Sequence, residues 1–334
     1  MLFLYFDAIA YHLSLEYPKL VTKRIEAYCF MIILPLTLLA ELGNGILMRR
    51  SWLRIAPTLT ITAFVIYRFH TLTRQSLIRA KTWADHRMDA NPTALKILFD
   101  GIREKRVLVE PGLFDLFLPP GATTSSNKTS TFLRAGFIFF PGALVEYRAY
   151  TGVAKKLSTQ GILVVLFNTE HFHRLPLEIF DCNMESIQKA ISLIDTKYSL
   201  QCQEWSIGGH SMGSFTSQQI VLKHPGFFQS IVLLGTYRPL LIEDSDIDIL
   251  VVQATRDGMG EPYRQGPQRQ QFLDSFAKLK QRKSLHDIKG GNHGGFGDYA
   301  TQTFPAMDNE RTISLEAMHS ELVKVTADFL LQRS

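Results

Sequence analysis

From about residue 95 to the C-terminus, short apolar runs alternate with stretches of mixed polarity. The runs fall at 106–110, 114–118, 137–140, 162–167, 205–208, 230–234, 249–253 and 285–288. They are rich in β-branched and aromatic residues and too short for helices, so each predicts a strand. The continuously apolar ones, above all Ile-Leu-Val-Val-Leu-Phe at 162–167, suit strands covered on both faces. The segments 150–160 and 212–222 have helical composition, and strands alternating with helices predict an α/β domain. Its sheet is expected to be doubly wound and mostly parallel, with right-handed crossovers. The first two runs read as a strand pair, and the Pro, Gly, Ser and Thr-rich stretch 119–130 as a connector.

Upstream the pattern is different. Residues 27–47 form an apolar run interrupted by Pro35, Thr37, Glu41 and Asn44, with Lys23 and Arg24 before it and Arg49 and Arg50 after it. As a helix it would extend about 31 Å, the thickness of a bilayer core. A second span at 53–69 is weaker: its uncharged centre, 55–67, would reach only about 20 Å. The chain is therefore expected to hold an N-terminal helical membrane-anchoring segment over 1–90 and a catalytic domain over 95–334.

Charge sharpens this division. Residues 1–110 carry 15 basic and 9 acidic side chains, and the remainder 21 and 22, so the net charge of +5 belongs to the N-terminal part. A near-neutral folded domain lacks the basic face of a nucleic-acid binder. The basic residues around the spans outnumber those of the tip between them, which predicts a cytosolic catalytic domain. The sequon Asn127-Lys128-Thr129 points the other way, since it is useful only in a secretory lumen. Cys29, Cys182 and Cys202 are too sparse for a disulfide framework or a zinc site.

The candidate chemistry centres on Gly209-His210-Ser211-Met212-Gly213, a GxSxG pentapeptide between a predicted strand and a predicted helix. That context matches a nucleophile elbow, in which Gly209 and Gly213 permit a tight turn and Ser211 is presented for attack. A serine hydroxyl needs an imidazole to take its proton, and the imidazole needs a carboxylate to orient it. Asp257 follows the strand at 249–253, and His293 follows the strand at 285–288, giving the chain order Ser, acid, His. Competing residues fit less well: His286 lies inside a strand, Asp248 begins one, Asp298 reads as a turn residue, and the pair His171 and His173 lacks a third metal ligand. An oxyanion requires two backbone N–H donors; Met212 supplies one, and the turn after 137–140 the other, with Ala143 preferred over Leu144.

The segments FFPGALVEYRAY, WSIGGHSMGS, ATRDG and IKGGNHGGFGDY, in that order, resemble the α/β-hydrolase fold-5 family over roughly residues 95–333. The resemblance implies the α/β-hydrolase fold and Ser211, Asp257 and His293 as a triad; the family often has a second glycine where this chain has Ala143. The resulting expectation is a membrane-anchored serine hydrolase acting on a small-molecule or lipid-like carboxylic ester, with no cofactor and no metal. Thioester cleavage or acyl transfer would use the same triad. A non-catalytic binding or receptor protein on this scaffold is the contrasting class. The apolar stretch 172–180 is a candidate wall for an acyl pocket.

Overall fold

The computed structural model describes residues 86–122, 130–168, 184–302 and 306–331. The chain divides into two units, Met1–Asp85 and His86–Ser334, and the described residues belong to the second. The expected spans 27–47 and 53–69, the sequon at Asn127, the His171 and His173 pair, the stretch 172–180, Cys29 and Cys182 lie outside the described residues. Among the described residues no helix is long and apolar enough to cross a membrane.

Among the described residues eight strands form one sheet. They are β1 (Val107–Glu110), β2 (Phe114–Phe117), β3 (Thr131–Phe140), β4 (Ile162–Phe167), β5 (Leu200–His210), β6 (Ser230–Leu234), β7 (Asp248–Ala254) and β8 (Lys283–Ile288). Their spatial order is β1-β2-β4-β3-β5-β6-β7-β8. The pairs β1–β2 and β2–β4 are antiparallel, and every pair from β4 through β8 is parallel. The helices α1 (Pro92–Arg103), α2 (Thr151–Thr159), α3 (Met184–Tyr198), α4 (Met212–Lys223), α5 (Gly266–Lys278) and α6 (Leu315–Leu331) accompany it.

The alternation of side chains along each strand divides the core into two layers. Leu163, Val165 and Phe167 share one apolar cluster with Ile187, Ala190 and Ile194 of α3, Ile220 and Val221 of α4, and Phe272 of α5. The intervening Ile162, Val164 and Leu166 are also buried, and α2 packs against β4 and against α1 and α6. Every residue of β4 is thus out of water, as its unbroken apolar run requires. Each such side chain contributes about 1.5–3 kcal/mol of burial, which explains why β4 carries no polar interruption.

The strand order reverses between β3 and β5. β3 leads through α2 to β4 on one side, and the chain then crosses back so that β5 lies on the other side of β3. In an open parallel sheet the crevice at the carboxyl ends of two such strands is where ligands bind. The two strands end there at Phe140 and His210, and Phe140 is paired with Gly209.

Two strands are longer than expected. β3 begins at Thr131 and β5 at Leu200, and most positions of their outer portions are partly or fully exposed, with Phe132 79% exposed. Residues 86–91 also join the unit: Met88 bridges Val145, and Ala90 bridges Tyr299.

His319 of α6 makes this packing pH-sensitive. Burial, with Lys156 adding to it, depresses the imidazole from its ordinary 6.5 to about 4, and its Nε2 has no partner among the described residues. A neutral buried histidine stabilises the fold fully above 6.5, and that stability is lost as pH falls toward 4, where the unfolded chain binds the proton and the folded one does not. The loss is about 3 kcal/mol at its limit. Thermal unfolding followed from pH 7.5 to 4.5 is expected to fall more steeply for the wild type than for His319→Gln; parallel slopes would contradict this assignment.

Candidate active site

The site starts from the end of β5. Ser211 sits between β5 and α4 with φ 54° and ψ −112°, a left-handed φ that a residue with a Cβ rarely adopts. Such strain persists only where surrounding structure imposes it. Here the Ser211 N–H donates to Leu234 O at 2.8 Å, tying the turn to the end of β6. The Ser214 hydroxyl donates to Gly209 O at 2.6 Å and accepts the Leu234 N–H at 3.0 Å.

The flanking glycines are required by contact distance. A Cβ on Gly209 would lie 2.5 Å from the Gly213 carbonyl carbon and 2.6 Å from Phe140 O, and one on Gly213 would lie 2.2 Å from Phe140 O and 2.6 Å from Pro141 O. These are backbone atoms and cannot swing aside. Gly213→Ala is therefore expected to destabilise by about 1–3 kcal/mol or more. Scanning calorimetry should report a melting temperature lower by at least about 5 °C, and a variant melting with the wild type would show that the elbow has slack.

The carboxylate and imidazole come from the next loops along the sheet. Asp257 follows β7 and is fully buried, while His293 follows β8 and is 3% exposed. Asp257 Oδ2 lies 2.7 Å from His293 Nδ1, and Asp257 Oδ1 accepts the Gly260 N–H at 2.6 Å. A carboxylate can only accept here, so the imidazole carries its proton on Nδ1, leaving Nε2 with a free lone pair. The two loops are zipped together: the Arg256 N–H donates to Gly291 O at 2.8 Å, and Thr255 Oγ1 accepts the Gly290 N–H at 2.8 Å.

The His293 ring packs at a tilt against that of His210, the residue before Ser211, with centroids 4.4 Å apart. Gly235, immediately after β6, passes beside both rings. A Cβ there would be 3.2 Å from His293 Cε1 and 3.3 Å from His210 Cδ2, and its φ of +66° independently favours glycine. The structure thus brings the Ser211 turn and the Asp257–His293 pair to one edge of the sheet.

The turn after β3 supplies the remaining wall. Gly142 donates its N–H to the Tyr150 hydroxyl at 3.0 Å, and Leu144, at φ 62°, is anchored by its carbonyl to the Met88 N–H at 2.7 Å. Half-buried Ala143 lies between them. Met212 opens α4, and the first N–H groups of a helix have no intrahelical acceptor. Ala143 and Met212 follow the ends of adjacent strands, β3 and β5.

Four side chains that shape this edge escaped the sequence reading. Asp308 accepts the Gly258 N–H at 2.9 Å with one oxygen and the Gly294 N–H at 2.7 Å with the other, so one carboxylate clamps the residues following Asp257 and His293. Its only local signal is an acid in an Asp-Asn pair. Tyr150 and His210 form a hydrogen-bonded couple at 2.8 Å across 60 residues of chain, which no local pattern announces. Asp298 is more than a turn residue: it is buried and accepts the Asn91 side-chain N–H at 2.8 Å and the Thr93 hydroxyl, anchoring the start of α1.

Among the described residues no group of His, Cys, Asp and Glu is arranged to hold a metal ion. Cys202 is a free thiol pushed up to about 12 by burial, which leaves it without thiolate character at neutral pH.

The family model described as alpha/beta hydrolase matches residues 136–320, more than half of the chain and all of the segment from β3 into α6 that builds this edge. The chain belongs to the α/β-hydrolase family. No curated protein matches this hydrolase. Among solved structures it is similar to an S-formylglutathione hydrolase from Agrobacterium tumefaciens, at 15% identity and TM-score 0.44, over 65% of this chain and 89% of that one. Dienelactone hydrolase from Anabaena variabilis is similar at 15% identity and TM-score 0.44, over 67% and 94%. The fluorophosphonate-binding serine hydrolase F of Staphylococcus aureus is similar at 11% identity and TM-score 0.45, over 67% and 96%.

Proposed function

We propose that this α/β hydrolase cleaves carboxylic esters by a serine mechanism, with Ser211 as nucleophile, His293 as base and then acid, and Asp257 as the group that orients it. The observation that carries the reading is the buried Asp257–His293 hydrogen bond of 2.7 Å at the sheet edge where the strained Ser211 turn emerges. In this scheme Ser211 Oγ attacks the ester carbonyl as its proton passes to His293 Nε2. The Ala143 and Met212 N–H groups hold the oxyanion, and His293 returns the proton to the departing alkoxide. Water then repeats the sequence on the acyl-enzyme and releases the acid. No cofactor and no metal enters this cycle.

The substrate is proposed to be a lipid-like or amphipathic ester presented at a bilayer, to which the apolar run 27–47 would hold the enzyme, with the catalytic domain on the cytosolic side. Membranes from cells expressing the full chain should retain the protein after sodium carbonate washing; release into the wash would overturn the anchor.

The activity is tested with p-nitrophenyl esters of two to sixteen acyl carbons and the purified full chain in detergent. Turnover with a burst of nitrophenolate equal to the enzyme concentration is expected for at least one chain length, because acylation and deacylation are separate steps. No turnover above a heat-treated control at any length would contradict ester hydrolysis and favour a binding protein on this scaffold.

A further inference from the structure

We propose that Tyr150 and His210 act together as a positioning couple that sets the distance between the two oxyanion donors, an inference that rests on the assignment of Ser211, Ala143 and Met212 above. His210 immediately precedes Ser211, and Gly142 immediately precedes Ala143. One hydroxyl joins these two neighbours. Tyr150 Oη accepts the Gly142 N–H at 3.0 Å and lies 2.8 Å from His210 Nδ1.

Proton counting gives the link a direction. A backbone N–H can only donate, so it occupies a lone pair of the Tyr150 oxygen. Satisfying the single hydroxyl proton then places it on His210 Nδ1, and the imidazole carries its own proton on Nε2. That Nε2 has no partner among the described residues, so Nδ1 carries the ring's one hydrogen bond there. The chain runs from Gly142 N–H to Tyr150 O–H to His210 Nδ1, bridging the ends of β3 and β5.

The couple is built to hold still. Tyr150 and His210 are each 1% exposed, and the His210 ring is wedged between His293 at 4.4 Å and Phe296 at 5.1 Å. The Tyr150 ring packs on Phe139 at 4.9 Å. A Cβ on Gly142 would meet His210 Nδ1 at 3.1 Å and Tyr150 Oη at 3.2 Å, so the absence of a side chain lets the turn sit directly on the couple. Burial raises the Tyr150 phenol well above its ordinary 10. Burial, with His293 adding to it, holds His210 well below 6.5. Both stay neutral while His293 cycles, which keeps the geometry constant through turnover.

Removing one oxyanion donor outright costs about 10²–10³ in rate. A displaced donor should cost less, so Tyr150→Phe, which deletes one oxygen and keeps the ring, is expected to lower kcat for p-nitrophenyl butyrate by about 10- to 100-fold with KM within about two-fold. The distinguishing readout is an alkyl trifluoromethyl ketone, which adds to a catalytic serine and generates the oxyanion. Its affinity should fall by the same factor as kcat, while the matching methyl ketone binds unchanged. A purely structural role would not separate these two ketones.

His210→Asn keeps an acceptor near the Nδ1 position and should retain more of the rate and of the trifluoromethyl ketone affinity than His210→Leu. This comparison carries the test if Tyr150→Phe fails to accumulate, and equal losses in the two His210 variants would overturn the couple. A Tyr150→Phe enzyme within two-fold of wild-type kcat, or one slowed with unchanged trifluoromethyl ketone affinity, would also overturn it, leaving the Ser211 assignment intact if Ser211→Ala is inactive. An active Ser211→Ala would instead overturn the assignment on which the couple rests.

Discussion

Ser211→Ala lowers the rate of ester hydrolysis by a factor on the order of 10⁶ and leaves the fold unchanged. Both halves of this result follow from how the residue is held. The turn is held through the Ser211 backbone: its N–H donates to Leu234 O at 2.8 Å, and its carbonyl accepts from the N–H groups of Ser214 at 3.1 Å and Phe215 at 3.3 Å. Alanine has the same Cβ and bears the φ of 54° at the same steric cost. The melting temperature should stay within about 2 °C of wild type, since surface and site substitutions without packing loss change stability by about 0.5 kcal/mol or less. What disappears is the nucleophile of the acylation step. Initial rates on the best p-nitrophenyl ester check it, and more than one part in a hundred of wild-type kcat surviving in a purified, folded variant would be incompatible with Ser211 as nucleophile.

Asp257→Asn lowers kcat by about 10⁴, a larger effect than the loss of one hydrogen bond would cause. The reason lies in what else Asp257 does. Its Oδ1 accepts the Gly260 N–H at 2.6 Å, so the amide oxygen of an asparagine is committed to that partner and its NH₂ group faces His293 Nδ1. A donor in that place forces Nδ1 to accept, and the single proton of the neutral imidazole moves to Nε2. The nitrogen that must take the serine proton is then already protonated. Asp257→Ala removes the carboxylate without imposing the wrong tautomer, so it should be impaired less than Asp257→Asn if tautomer control dominates. Steady-state kcat for both variants decides this, and an asparagine variant within ten-fold of wild type would mean that Asp257 does not govern the state of His293.

The parts of this fold that were legible in sequence are those where one physical requirement acts on consecutive residues. The run at 162–167 is entirely apolar because β4 is covered on both faces, and the glycines of the pentapeptide are fixed by backbone atoms 2.2–2.7 Å from any added Cβ. The order Ser211, Asp257, His293 was readable because each follows a recognisable strand, β5, β7 or β8. Harder to see were the outer halves of β3 and β5, where residues such as Arg134 and Glu204 interrupt the apolar signal. The clamp by Asp308 and the couple of Tyr150 with His210 were invisible for a different reason. Each joins groups 14 to 60 residues apart in chain, and only the tertiary structure brings them together.

Covalent capture distinguishes Ser211, the proposed nucleophile, from every other residue of this hydrolase. Wild-type protein treated with a fluorophosphonate is expected to gain the mass of one phosphonyl group, located on Ser211 in the peptide spanning 205–223, while Ser211→Ala gains none. A Ser211→Ala variant that is phosphonylated as fast as wild type, or a wild-type adduct on any other residue, would contradict the account.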